Sequence, residues 1–140
     1  MKKILVIGGA NQGKTQWAKD KFPEYREVTI EEIEELIEKS EKERAEACQE
    51  PVLINGFHQW MKQWLEQDYR TKVEALKESF GWVIISDEIG NGIVPMEKQE
   101  RKWREETGRM LCMLAEEAEE VYRIYCGIPT RIKGCETYDR

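Results

Sequence analysis

Eight residues near the start of the chain, Gly8-Gly9-Ala10-Asn11-Gln12-Gly13-Lys14-Thr15, carry the groups that a triphosphate needs. Their spacing fits G-x-x-x-x-G-K-[ST], in which glycines let successive backbone N–H groups turn inward around phosphate oxygens. Lys14 is then placed to reach the β- and γ-phosphates, and the Thr15 hydroxyl to meet Mg²⁺. A helix opening at Lys14 directs the positive end of its dipole at the same anion. Gly8, Gly9, Ala10, Asn11, Gln12, Gly13, Lys14 and Thr15 are the expected nucleotide-binding residues. The rival reading is a glycine loop with a structural role only.

Phosphoryl chemistry also calls for an acidic group at the end of a neighbouring strand. Asp87 and Glu88 end an apolar run, where ligands of parallel sheets gather. With Lys14 they form the expected catalytic set, as metal or general-base groups, with Thr15 and Asp87 toward Mg²⁺. The alternative is that one of the two acids caps the turn at Gly90-Asn91-Gly92. Asn55 ends an earlier apolar run; it is neutral, able to hydrogen-bond a metal-bound water but not to supply charge. His58, the single histidine of the chain, follows closely. From the start of the next helix it either faces the phosphates as a replacement nucleophile or is an ordinary hydrogen-bonded imidazole.

Cys48, Cys112, Cys126 and Cys135 form no Cys-x-x-Cys pair, and one histidine does not complete the usual mixed zinc sites. Cys112 and Cys126 read as small buried hydrophobes in a helix and a strand.

These groups must be positioned by alternating strands and helices. Lys3 to Ile7 is a short apolar run of the kind buried on both faces, ended by glycines. A helix follows over Lys14 to Lys21, closed by Phe22-Pro23, and Tyr25 to Val28 reads as a short strand. Thr29 with Glu32 has the form of a capping box, and Ile30, Ile33, Leu36 and Ile37 give one apolar face. The charged helix behind it is expected to run to about Ala47. Pro51 to Gly56 and Trp82 to Ser86 read as further buried strands, so the sheet is expected to be parallel. Trp60, Met61, Trp64 and Leu65 make a helical core stripe. Glu97 to Glu117 is the longest helix, with Trp103, Thr107, Met110, Leu111 and Leu114 on one face. Val121 to Cys126 and Thr130 to Lys133 complete the sheet.

The 140 residues fit one domain, over 1–140. A 36% charged and 40% hydrophobic composition suits a compact globule with solvated helices. A net charge of −6 speaks against nucleic acid or a membrane surface as partner. The apolar run behind Met1-Lys2-Lys3 stops at Ile7, too short for a leader. No stretch approaches the ~20 apolar residues of a membrane span, so the expected location is the cytoplasm.

Asp87-Glu88-Ile89-Gly90-Asn91-Gly92-Ile93-Val94-Pro95 resembles the N-E-V-G-x-G-I-V-P element of the adenosylcobinamide kinase/adenosylcobinamide-phosphate guanylyltransferase family of cobalamin biosynthesis. Arg101, Trp103, Arg104, Gly108 and Arg109 resemble its R-x-[FY]-R-[DE]-x-x-G-R stretch. Gly8 to Thr15 resembles its G-G-A-R-S-G-K-S loop. Cys126-Gly127-Ile128-Pro129 with Arg131-Ile132-Lys133 is similar to its closing S-G-I-x-x-x-x-K. The resemblance implies an α/β fold, a P-loop NTPase-type three-layer sandwich with a mostly parallel sheet. It also implies a kinase that moves a phosphate from ATP or GTP, with Mg²⁺, to the aminopropanol hydroxyl of adenosylcobinamide. A homo-oligomer is a further implication.

The family's second step attaches GMP through a histidine in an H-x-x-x-R-P segment. Here the corresponding stretch, Tyr25 to Glu50, holds no histidine. Asn55 stands at the family's acidic position, and Leu111-Cys112 at its Asn-Gln pair. A kinase without guanylyl transfer is therefore the expected activity. The rivals are a kinase for another small alcohol and a nucleotide-binding regulator without catalysis. Arg101, Arg104 and Arg109 either contact phosphate or pair with Glu97, Glu100 and Glu105; pairing is expected for Arg104 only.

Overall fold

The computed structural model describes residues 1–10, 12–39, 50–89 and 97–134. Asn11, the expected helix continuation over 40–47, Cys48, the glycine turn at 90–92 and Cys135 lie outside the described residues.

The first strand, β1 (Lys3–Gly8), is central because its run of Ile4, Leu5 and Val6 is buried on both faces. It pairs in parallel with β4 (Trp82–Asp87) on one side and β5 (Glu120–Tyr125) on the other. β4 pairs with β3 (Val52–Asn55), and β3 with the short β2 (Arg26–Glu27), all parallel. β6 (Ile128–Lys133) closes the far edge antiparallel to β5, giving the order β2-β3-β4-β1-β5-β6.

Alternation along the strands feeds two cores. Leu5, Ile54, Ile84 and Val121 face one side with helices α2 (Ile30–Glu38), α3 (Phe57–Trp64), α4 (Tyr69–Lys77) and α5 (Lys98–Glu117). Ile4, Val6, Val83 and Ile124 face the other, where α1 (Lys14–Lys21) brings Ala18 and its neighbours Trp17 and Phe22. The result is a three-layer α/β sandwich of the P-loop NTPase type with a mostly parallel sheet. The stripe of Trp60, Met61, Trp64 and Leu65 is buried in the larger core, where each such side chain contributes about 1.5–3 kcal/mol. None of the described helices is long and apolar enough to cross a membrane.

Local chemistry sets the helix ends. The Thr29 hydroxyl accepts the Glu32 N–H at 3.2 Å and the Glu32 carboxylate accepts the Thr29 N–H at 2.9 Å, a complete capping box at the start of α2. α2 ends at Glu38, because Lys39 is extended at φ −71° and ψ 154°. The expected unbroken helix to Ala47 is thus interrupted at Lys39; beyond Ile37 the apolar period has nothing left to bury, since Ser40 and Glu41 fill the next two places. α5 is tied to α4 by Tyr69, whose hydroxyl donates to the buried Glu106 at 2.9 Å.

The expectation for the two cysteines is overturned, as both are exposed. Cys112 lies two residues from the buried Met110 and Leu114, on the opposite side of a 100°-per-residue helix. Cys126 is not in a strand: with Gly127 it forms the turn between β5 and β6, at φ 51° and 75°. Two successive positive φ values are the mark of the tight turn whose twist matches a hairpin.

Candidate nucleotide-binding site

Parallel pairing brings the carboxyl end of β1 level with the ends of its neighbours, so Gly8 stands opposite Asp87 and Ile124. A Cβ at Gly8 would fall 2.5 Å from the Ile124 carbonyl oxygen; glycine here permits close strand approach. At Gly13, φ of +84° requires the left-handed region, and α1 starts immediately after it. Gly13 offers α1 no side-chain cap and the first turn holds no acid. The helix N-terminus therefore meets the cleft with neither a capping side chain nor an acid in its first turn, which suits an anion site.

Lys14 is only 7% exposed. Its ammonium donates to the Gly9 carbonyl at 2.7 Å and lies 2.7 Å from Asp87 Oδ1. The Thr15 hydroxyl donates to Asn55 Oδ1 at 3.0 Å. His58 stands in the first turn of α3, which opens at Gly56, itself pinned to β4 by donating its N–H to the Ile85 carbonyl at 2.9 Å. The Asp87 N–H donates to His58 Nδ1 at 3.1 Å, and His58 Nε2 lies 3.4 Å from Asp87 Oδ2. Burial pushes the His58 pKa below its ordinary value; Asp87 opposes that shift, and Lys14 and Lys62 reinforce it. A cleft of about 410 Å³ opens over these groups, lined by the loop, Gln16, His58 and Asp87.

Four elements thus bring Lys14, Thr15, Asn55, His58 and Asp87 to one place. Glu88 goes elsewhere: its carboxylate pairs with Arg123 of β5 at 3.1 Å, while its N–H donates to the Gly8 carbonyl at 2.7 Å. The turn at Cys126-Gly127 docks on the loop, with the Cys126 N–H donating to Gln12 Oε1 at 2.6 Å and the Gly127 N–H to the Gln12 carbonyl at 2.8 Å. That contact joins residues 114 apart in sequence, and neither it nor the part of Gln16 is signalled by local spacing. Arg104 pairs with Glu100 as expected, at 3.4 Å. Arg109 also pairs, with Glu105 at 3.2 Å and Glu106 at 2.8 Å, contrary to the expectation of pairing for Arg104 alone. Intrahelical acids three and four residues away reach it first.

No group of three or more His, Cys, Asp or Glu side chains forms a metal cage among the described residues. The hard oxygens of Thr15 and Asn55 fit Mg²⁺ nonetheless, since that ion keeps several waters and takes its remaining ligands from phosphates.

A solved structure from a structural study of a Pyrococcus horikoshii OT3 protein is similar over 97% of this chain and 88% of its own, at 8% identity and a TM-score of 0.52. At that identity the likeness is one of fold. None of the curated proteins matches this chain. The family model described as cobinamide kinase / cobinamide phosphate guanyltransferase matches residues 23–132, beginning just beyond the glycine loop. The chain belongs to this family of nucleotide-using enzymes of cobalamin biosynthesis.

Proposed function

We propose that the cleft binds ATP or GTP with Mg²⁺ and transfers the terminal phosphate to the aminopropanol hydroxyl of (adenosyl)cobinamide, without the subsequent guanylyl transfer. The observation that supports this most is the convergence of Lys14 and Asp87 at 2.7 Å beside the uncapped start of α1. On binding, the phosphates replace Asp87 as the partner of Lys14, which neutralises charge at the transferred group. Asp87 Oδ1 is thereby released to accept the proton of the attacking hydroxyl. The hydroxyl oxygen bonds to the γ-phosphorus and the bond to the bridging oxygen breaks, leaving a nucleoside diphosphate. Thr15 and Asn55 would hold the hydrated cation through their side-chain oxygens. When bound, Mg²⁺ supplies neutralisation of phosphate charge. Glu88, through Arg123, fixes the end of β4 to β5.

The guanylyl step lacks its nucleophile, because residues 25–50 contain no histidine. Transfer of label from γ-labelled ATP or GTP to cobinamide tests the proposal: the label should appear in the corrinoid and be lost with Lys14→Ala. A nucleotide-binding regulator is the second reading, favoured by the neutral Asn55 beside Thr15. It would bind triphosphate tightly and label nothing.

A further inference from the structure

The chain's only histidine stands in the cleft, and its hydrogen bonds fix what it can do. An imidazole nitrogen accepts a hydrogen bond only when it carries no proton. His58 Nδ1 faces a backbone donor, the Asp87 N–H, at 3.1 Å. The proton of the neutral ring therefore sits on Nε2, the nitrogen 3.4 Å from Asp87 Oδ2. The backbone that carries the ring is fixed as well, since Trp103 Nε1 donates to the His58 main-chain carbonyl at 2.8 Å.

This geometry is unsuited to a nucleophile, since the Nδ1 lone pair is taken by the Asp87 N–H and Nε2 carries the ring proton. To attack phosphorus, Nε2 needs its lone pair, so the proton must move to Nδ1, where it would point at the Asp87 N–H and leave that donor without its acceptor. The arrangement suits a different task. Asp87 is engaged at both oxygens, Oδ1 by Lys14 and Oδ2 by His58. When Lys14 turns to the phosphates, one partner leaves and the other stays.

We propose that His58 is a positioning residue, fixed as the Nε2–H tautomer by the Asp87 backbone, which keeps the Asp87 carboxylate oriented at the phosphate loop while Lys14 is engaged with nucleotide. The inference rests on the kinase reading of the cleft for its catalytic consequence, and on the two hydrogen-bonding nitrogens for the tautomer.

Nitrogen-15 spectra of the uniformly labelled full chain test the tautomer, and the single imidazole makes assignment immediate. The expected pattern near neutral pH is a protonated Nε2 and an unprotonated, hydrogen-bonded Nδ1. A proton on Nδ1, or exchange-averaged nitrogens, overturns the proposal. Kinetics test the consequence. His58→Leu should lower kcat for cobinamide phosphorylation about tenfold to a hundredfold with the nucleotide KM within about twofold. His58→Gln, which keeps an N–H donor, should restore most of the loss. Equal losses in both variants, or a loss in nucleotide KM alone, overturn it. So does covalent label on the protein from α-labelled GTP that disappears with His58→Gln. The spectrum needs no cobinamide, which separates the two failures. An Nε2–H ring in a chain that phosphorylates nothing contradicts the kinase reading and leaves the tautomer standing; an Nδ1–H ring in an active kinase does the reverse.

Discussion

Lys14 Nζ and Asp87 Oδ1 stand 2.7 Å apart, an ammonium from the first turn of α1 against a carboxylate from the end of β4. Lys14 is nearly buried, and its ammonium also donates to the Gly9 carbonyl. Asp87→Asn should therefore act twice. Loss of the proton acceptor should lower kcat about 10²- to 10⁴-fold. Loss of charge beside the ammonium should lower folding stability by about 1–3 kcal/mol, read by chemical denaturation. Saturating triphosphate should restore part of that stability, since the phosphates then pair with Lys14.

The loop glycines are predicted to fail for different reasons. Gly8→Ala sets a Cβ 2.5 Å from a backbone carbonyl of β5 that has no freedom to retreat. Gly13→Ala meets its nearest atom only at 3.5 Å and suffers mainly from its left-handed dihedral, about 1–2 kcal/mol. Denaturation midpoints should rank wild type, then Gly13→Ala, then Gly8→Ala as least stable; the reverse order of the two variants would contradict the close approach of β1 and β5.

Much of this site is legible in the sequence because local rules suffice for it. The apolar run of β1, the helix opening at Lys14 and the capping box of Thr29 and Glu32 all appear where they are expected. Neighbour relations in the sheet are not local. Periodicity marks β3 and β4 as buried strands but does not say that β4 lies between β3 and β1, the order that sets Asp87 next to Lys14. The same holds for Gln12 and Cys126, and for His58 of α3, whose imidazole accepts from a backbone donor on β4. β6 is missed in part because all six residues are exposed, so it carries no apolar pattern.

Asn55→Asp would place a carboxylate against the Thr15 hydroxyl, 3.0 Å from the present amide oxygen. The hydroxyl can donate to either group, so the fold should be unaffected. The Mg²⁺ concentration for half-maximal phosphoryl transfer should fall several-fold as charge is added. An unchanged Mg²⁺ dependence would place the ion away from Thr15.

Gln12→Ala removes the side-chain acceptor for the Cys126 N–H while keeping the backbone bond to Gly127. The expected loss is about 0.5–1.5 kcal/mol. It should be felt at the hairpin turn, as faster amide exchange at Cys126, with a weaker effect on global unfolding.

Burial pushes both Tyr25 and Tyr122 up to about 12. Tyr25 donates to the Lys2 carbonyl and Tyr122 to the Glu120 carboxylate, each at 2.7 Å. Below pH about 10 these phenols are protonated in both folded and unfolded chains and contribute no pH dependence. Between about 10 and 12 the unfolded chain releases protons that the folded one retains, so stability falls as pH rises. Tyr25→Phe and Tyr122→Phe should each flatten that slope in denaturation series across the window; an unchanged slope in both would contradict the burial of the phenols.

The central claim is a phosphate transferred without a nucleotide, and the mass of the corrinoid product tests it most directly. Adenosylcobinamide incubated with the full chain, Mg²⁺ and either ATP or GTP should gain the mass of one phosphate, and Lys14→Ala should leave it unchanged. A corrinoid carrying GMP, or no change in mass with either nucleotide, would contradict the account.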